Sequence, residues 1–274
     1  MTSQTARAAA PHPPILVREL LGSVAVLTLN RPEARNSLSE SLIAELDAAL
    51  REIHDDAKVR AVVIAANGPA FSAGHDMKEL TARRADADHG RGYFAEIMTA
   101  CSAMMQAIVH LPKPVVAAVQ GVATAAGCQL VASCDLAVAS KAATFATPGV
   151  DIGLFCSTPM VALSRNVPRK HAMEMLLTGE PISAATARDI GLINRVVAVG
   201  AERDAAIALA QKVALKSAYT IKIGKAAFYR QAEMSLAGAY RYAAEVMTEN
   251  MMARDAEEGI GAFIEKREPK WQDK

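Results

Sequence analysis

Much of what this sequence lacks decides what it is not. No stretch of 18 apolar residues occurs, so no membrane-spanning helix is expected. There is no dense Lys/Arg run, since Arg83-Arg84 is broken at once by Asp86 and Asp88. The 30 basic residues balance 29 acidic ones, leaving a net charge of +1. That balance lacks the basic face of a nucleic-acid binder. The four cysteines, Cys101, Cys128, Cys134 and Cys156, form no C-x-x-C pair, and no histidine cluster has zinc spacing, so no metal site is expected. Their apolar neighbours make them read as buried, reduced thiols, which suits a cytoplasmic compartment. Aromatic residues make up only 4%, so aliphatic side chains and alanine must fill the core.

What is present points to a globular protein. Over 274 residues, 51% are hydrophobic and 22% charged, enough for one large domain with or without an appendage. Residues 1–14, MTSQTARAAAPHPP, hold no apolar stretch of signal-peptide length and read as a disordered tail ending in Pro11, Pro13 and Pro14. A strand is predicted over 24–29, then a helix with Leu42, Ile43, Leu46, Leu50 and Ile53 on one face, started by a capping box of Ser37 and Glu40. A second strand over 59–66 stops at Asn67-Gly68-Pro69. Residues 79–92 read as a mobile surface stretch and 93–109 as a helix. A strand over 115–119, a small-residue loop over 121–127, a helix over 128–133 and a strand over 135–139 follow. Extended pieces over 145–148 and 193–197 flank a helix over 168–177. Strands alternating with helices imply crossovers and mainly parallel pairing. Beyond about residue 200, helices over 202–216, 221–230 and 236–254 form an appendage. The division is therefore an α/β core over 15–200 and a helical region over 201–274, with no sequence repeat of fixed period.

Two loops carry small residues between a strand and a helix: Phe71-Ser72-Ala73-Gly74-His75-Asp76 and Ala125-Ala126-Gly127-Cys128-Gln129. Small residues let a backbone approach a ligand, and a helix start leaves amide N–H groups unpaired. Two such amides aimed at one point make an oxyanion hole. The alternative is a pair of tight strand-to-helix turns with no ligand.

These loops, with LNRPEARNSLS (29–39), KPVVAAVQGVATAAGCQLVASCDLAVAS (113–140), FATPGVDIGL (145–154), LLTGEPISAATARDIGLINRVV (176–197) and AFIEKREP (262–269), resemble the crotonase (enoyl-CoA hydratase/isomerase) family from about Val17 to the C-terminus. Several ordered motifs together are far more specific than one. The resemblance implies a spiral of ββα turns with a helical C-terminal region for trimerisation, giving a trimer or a dimer of trimers. It implies an acyl-CoA thioester as substrate, with no bound cofactor or metal. The backbone N–H groups of His75 and Ala126 would hold the thioester oxygen, where enolate charge develops. Ala34, Arg35, Ala73, Asp76, Met77 and Lys78 fall at positions that line the CoA in relatives. Phe263 and Lys266 match a segment that reaches a neighbouring subunit's CoA.

The pattern fails where a hydratase of the family carries its two glutamates, for those positions hold Gln129 and Gly149. An amide does not exchange protons usefully near neutral pH, and glycine has no side chain. Asp151 is the nearest carboxylate and a candidate substitute base; capping or an ion pair is its other reading. Cys156 and Ser157 have no visible base partner. The expectation is an enoyl-CoA hydratase/isomerase-like, lyase-type protein with weak or atypical hydration. The alternatives are an acyl-CoA-binding protein without catalysis, or a thioester hydrolase using water held near Gln129. FATPGV…GLFCSTP also resembles the enoyl-CoA-hydratase-domain-containing subgroup, which makes the mitochondrial matrix the alternative to a cytoplasmic location.

Overall fold

The structure is a computed structural model and describes residues 13–274, so the tail expected over 1–14 lies almost wholly outside the described residues. β1 (Leu16–Leu21) folds back antiparallel on β2 (Val24–Leu29), every residue of which is buried. Three turns then follow, each laying one strand in a large sheet and the next in a small one. They are β3 (Ala61–Ala66) with β4 (Ala70–Ser72), β5 (Val115–Val119) with β6 (Val122–Thr124), and β7 (Leu136–Ser140) with β8 (Thr144–Ala146). β9 (Ile182–Ser183) closes the small sheet in the order β4-β6-β8-β9, and β10 (Arg195–Val197) closes the large one in the order β1-β2-β3-β5-β7-β10. From β2 to β10 the large sheet is parallel, as the alternation of strands and helices predicts.

Valine and alanine runs suit these strands because both sheet faces are covered. α1 (Glu40–Asp55) presents Leu42, Ile43, Leu46, Leu50 and Ile53 to the core and packs on α3 (Arg91–His110). Between them in the chain lies α2 (Met77–Ala82). α4 (Ala126–Ser133), α5 (Pro159–Asn166), α6 (Arg169–Thr178) and α7 (Ala184–Asp189) complete the core turns. α8 (Glu202–Ala214) covers the opposite sheet face with Ala206, Ile207, Leu209 and Ala210, so it belongs to the core. α9 (Ala218–Gln231), α10 (Leu236–Met252) and α11 (Arg254–Glu265) follow. α9 is pinned to the core by Lys225, whose Nζ lies 2.7 Å from Asp135 Oδ2 and 3.0 Å from the carbonyls of Ile108 and Lys113.

Four readings are corrected. The cap of α1 is Ser39, which accepts from Leu42 N at 3.2 Å; Ser37 instead donates to Asp76 at 3.1 Å. Residues 79–92 lie mostly at the surface, as expected, but carry regular structure rather than loop. They hold the rest of α2, a 3-10 turn (Arg83–Ala85) and the Asp88 carboxylate, which accepts from the Gly90 and Gly92 amides at the start of α3. Arg83 and Arg84 stack over Tyr93 and Phe94 there. The small-residue loop over 121–127 contains β6, whose three residues are too few to show an alternation. The last helix divides, α10 ending at Met252 and α11 starting at Arg254.

Candidate functional site

β4, β6 and β8 are short and parallel, so their C-terminal ends open on one edge of the small sheet. The loops leaving that edge are held by close backbone contact. A Cβ at Gly74 would stand 3.0 Å from Ala125 Cβ and 3.3 Å from Ala126 N, and Gly74 has φ +88°. A Cβ at Gly127 would stand 2.2 Å from the Ser72 carbonyl oxygen. Glycine is needed at both positions because each loop occupies the other's side-chain space. Ala125, with φ +50° and ψ −118°, is strained for a residue with a Cβ, at a cost of roughly 1–3 kcal/mol. Its own N–H is fixed by the Ala146 carbonyl at 3.0 Å. This strain turns the next amide, that of Ala126, to the start of α4.

His75 is set by a parallel bridge to Leu38. Leu38 N donates to Gly74 O at 2.7 Å and Asp76 N donates to Leu38 O at 3.3 Å. Amides alternate along extended backbone, so the His75 N–H faces away from Leu38. Neither the His75 nor the Ala126 amide donates to any group of the described residues. The two loops that carry these amides are in contact.

The His75 side chain shares the site. Both imidazole nitrogens are buried, and their approach to the Leu38 backbone falls short of full hydrogen-bond geometry. Burial pushes the imidazole below its ordinary range, against a weaker upward pull from the nearby Leu38 backbone. A group kept neutral in the fold and free to charge when unfolded makes the unfolded chain bind more protons. Stability is therefore expected to fall as pH drops below about 6.5 and the unfolded His75 takes its proton, by at most about 1.4 kcal/mol per pH unit for one group. Urea unfolding between neutral pH and pH ~5 checks this against His75→Gln, whose profile should be flatter; equal slopes would remove His75 as the cause.

Gln129 lies one turn into α4, 5% exposed, and its amide oxygen has no partner. Gly149 is buried in a 3-10 turn (Pro148–Ile152). A Cβ there would stand 3.0 Å from Cys156 Sγ, 3.0 Å from Leu154 O and 3.2 Å from Cys156 N, so the thiol fills the space a longer residue would need. Burial pushes the Cys156 thiol up, which keeps it protonated. Asp151 is exposed, and its carboxylate lies 3.1 Å from the Cβ position of Gly179 at the end of α6 rather than in the buried group. The Ser157 hydroxyl is exposed and donates to Phe155 O at 3.3 Å.

Asp76 caps α2 through Lys78 N at 3.1 Å and pairs with Arg31 at 3.2 Å. Burial would raise its carboxyl, but hydrogen bonds from Ser37, Arg31 and the Lys78 and Glu79 amides hold it below the usual range. Ala34 ends a 3-10 turn (Pro32–Ala34), and the Arg35 carbonyl accepts from Ala73 N at 3.0 Å, with its side chain exposed. Met77 and Lys78 are exposed on the first turn of α2. Phe263 is 85% exposed, and Lys266 ends α11, which packs chiefly on α10. Sequence reasoning missed Asn36 and Thr147. Asn36 is buried at φ +52° and donates to Asn67 O and Ala70 O, both at 2.8 Å, tying the 31–37 turn to the β3–β4 turn and the start of β4. An Asn after a Pro-containing turn was its one visible signal. Thr147 is fully buried with an unpartnered hydroxyl. Among the described residues, no three His, Cys, Asp or Glu side chains are placed to hold a metal.

Successive ββα turns that lay their strands in a large and a small, mainly parallel sheet make the crotonase fold. The chain belongs to the enoyl-CoA hydratase/isomerase family, whose sequence profile matches residues 19–274. Enoyl-CoA hydratase domain-containing protein 3, mitochondrial, of Xenopus laevis is 46% identical over 260 residues, 95% of this chain and 87% of that protein. An enoyl-CoA hydratase structure from Mycobacterium smegmatis is 50% identical with a TM-score of 0.89, over 94% of this chain and 99% of its own. The structure of human enoyl Coenzyme A hydratase domain-containing protein 3 is 45% identical with a TM-score of 0.89, over 94% and 100%.

Proposed function

We propose that this protein binds an acyl-CoA thioester, with the carbonyl oxygen on the His75 and Ala126 amides, and hydrates an α,β-enoyl thioester weakly or not at all. The observation that carries the second half is Gln129 with Gly149 where the family's glutamates stand. Neither moves a proton near neutral pH. Oxyanion stabilisation alone still polarises a thioester, because fixed amides meet the developing charge without reorganising.

For the CoA moiety, Arg35, Lys78 and Lys266 make no ion pair among the described residues, which leaves them available for phosphates. Asp76 is engaged by Arg31 and serves as the loop's anchor. Exposed Phe228, Leu236, Tyr240, Phe263 and Ile264 on α9, α10 and α11 support assembly through the C-terminal helices, as a trimer or a dimer of trimers. Free cysteines fit a reducing compartment, a bacterial cytoplasm or a mitochondrial matrix.

The test is calorimetric titration with a saturated acyl-CoA, then overnight incubation with an α,β-enoyl-CoA and mass analysis of the thioester. Binding with the mass unchanged is expected, and NMR of the recovered thioester then separates a carrier from an isomerase. Rapid gain of one water at a rate within tenfold of an ordinary hydratase, about 1.4 kcal/mol of barrier, would reject the weak-hydration reading. No binding would reject the thioester reading itself.

A further inference from the structure

A second charged recess shares no residue with the loops after β4 and β6. It is a cavity of about 390 Å³ between the end of α1, the turn before β5, the end of α8 and the start of α9. Its charged lining is Arg60, Lys113, Lys216 and Lys222 against Asp55 and Asp273. Lys113 is spent on the Ile53 and Asp56 carbonyls, and Asp55 lies 2.8 Å from the His54 ring. Lys216 and Lys222 are exposed and make no ion pair among the described residues. Arg60, directly before β3, is aimed from behind. Its Nε donates to Ala214 O at 2.8 Å and one terminal nitrogen donates to Lys216 O at 2.5 Å. The outer side of the fork grips the Asp273 carboxylate at 2.6 and 3.1 Å. That carboxylate also accepts from Ala218 N, the first amide of α9, at 2.8 Å.

The carboxylate in this recess belongs to a strap of the same chain and is lightly held. Asp273 stands at φ +60°, uncommon for a residue with a Cβ. The Arg60 and Asp273 side chains are 22% and 37% exposed, where an ion pair contributes little. Residues 270–274 lie back along α11. Lys270 N donates to Glu258, and Gln272 N and Asp273 N donate to the buried Asp255 at 2.7 and 2.9 Å. Trp271 donates to Leu215 O at 2.9 Å, and its ring lies 3.1 Å from the Cβ position of Gly259.

We propose that this cavity is a phosphate-binding site which Asp273 fills in the absence of ligand, so that a phosphate group, free or carried on a small molecule, displaces the 270–274 strap. The inference is independent of the thioester reading. A pre-aimed guanidinium fork, a helix N-terminus and two available ammonium groups around one cavity are the donor set that phosphate uses. A carboxylate fills the fork and one amide and leaves both lysines unmatched. A phosphate monoester carries more charge and three strong acceptor oxygens. It takes the Arg60 fork, the Ala218 amide and a lysine at once. The cavity also falls within the usual range of small-molecule sites, roughly 300–1,000 Å³, which leaves room for the organic part of an ester.

Trp271 is the only tryptophan in the sequence, so its emission reports the strap. The full chain is titrated with inorganic phosphate and with glycerol 3-phosphate, at ionic strength held constant with chloride, following emission and calorimetric heat. Phosphate should shift the emission saturably, and chloride alone should not. Asp273→Ala should begin at the shifted emission and bind phosphate about tenfold more tightly, the gain expected when a plug filling the site nine-tenths of the time is removed. Lys222→Gln should weaken binding about threefold and Arg60→Gln about tenfold, with melts verifying folding. Tighter binding of glycerol 3-phosphate than of inorganic phosphate identifies an ester as the ligand, and the opposite order identifies the free ion. No heat from either probe, in the wild-type protein and in Asp273→Ala, would overturn the site. Equal affinities of those two proteins would overturn the plug. Affinity unchanged in both Lys222→Gln and Arg60→Gln would overturn the assignment to this cavity.

Discussion

Lys225→Met should lower the stability of the protein by about 3–5 kcal/mol, a drop in Tm of roughly 6–20 °C for a chain of this size. The Lys225 side chain is 8% exposed and that of Asp135 16%, at an Nζ–Oδ2 distance of 2.7 Å. The same carboxylate accepts from Val115 N at 2.7 Å and from the Tyr229 hydroxyl at 2.9 Å. Lys225 in turn satisfies the Ile108 and Lys113 carbonyls at and beyond the end of α3. Burial pushes the Lys225 ammonium down and the Tyr229 phenol up, Asp135 opposing the first shift and adding to the second. Deleting the lysine strands a buried charge and two carbonyls, which costs more than the pair contributes when intact. Asp135→Asn added to Lys225→Met should therefore recover part of the loss, since it removes the unbalanced charge. A melting shift under about 2 °C for Lys225→Met, or no recovery in the double variant, would mean that α9 is not held by this pair.

The second large effect is a gain. Gln129→Glu and Gly149→Glu, combined with Cys156→Gly, should raise hydration of a short enoyl-CoA by roughly 10²–10⁴-fold, the usual contribution of positioned acid–base groups. Cys156 belongs in this set because its sulfur lies 3.0 Å from the Cβ position of Gly149. With Cys156 retained, a glutamate at 149 is pushed off its rotamer or displaces the turn, and the double variant should lag the triple by at least tenfold. The Leu154 carbonyl at 3.0 Å is a firmer neighbour, so some shift of the turn is needed even in the triple. The check is the loss of enoyl absorbance with protein in excess of background hydration. A triple variant no faster than the wild-type protein would show that more than proton transfer is missing.

The parallel sheet and its flanking helices were legible in the sequence because buried parallel strands are continuous aliphatic runs, as in 61–66 and 115–119. The three-residue strands β4, β6 and β8 were not, because a strand that short carries no period. The repeat of three turns was hidden for a related reason: α2 and α3 lengthen the first turn and destroy any fixed spacing. The two loops proposed to hold the thioester oxygen were visible as Gly and Ala between strand and helix. That Gly74 and Gly127 each occupy the other loop's space is a tertiary fact. Gln129 and Gly149 were legible as departures from a family pattern. Cys156 as the occupant of the vacant space, and Thr147 as a third unpaired group, were not, since burial without a partner depends on the whole surround.

The contact between the loop after β4 and the loop after β6 has one more consequence, and it concerns the order in which the chain organises. A three-residue strand holds no structure alone and waits for the next turn of the spiral to lie beside it. The Gly127–Ser72 and Gly74–Ala126 contacts are the stitches between the first turn and the second. The proposed thioester site is therefore a seam between turns: it exists only after both have closed. A ligand held at the proposed site would touch two consecutive turns at once, so binding would be coupled to their closure.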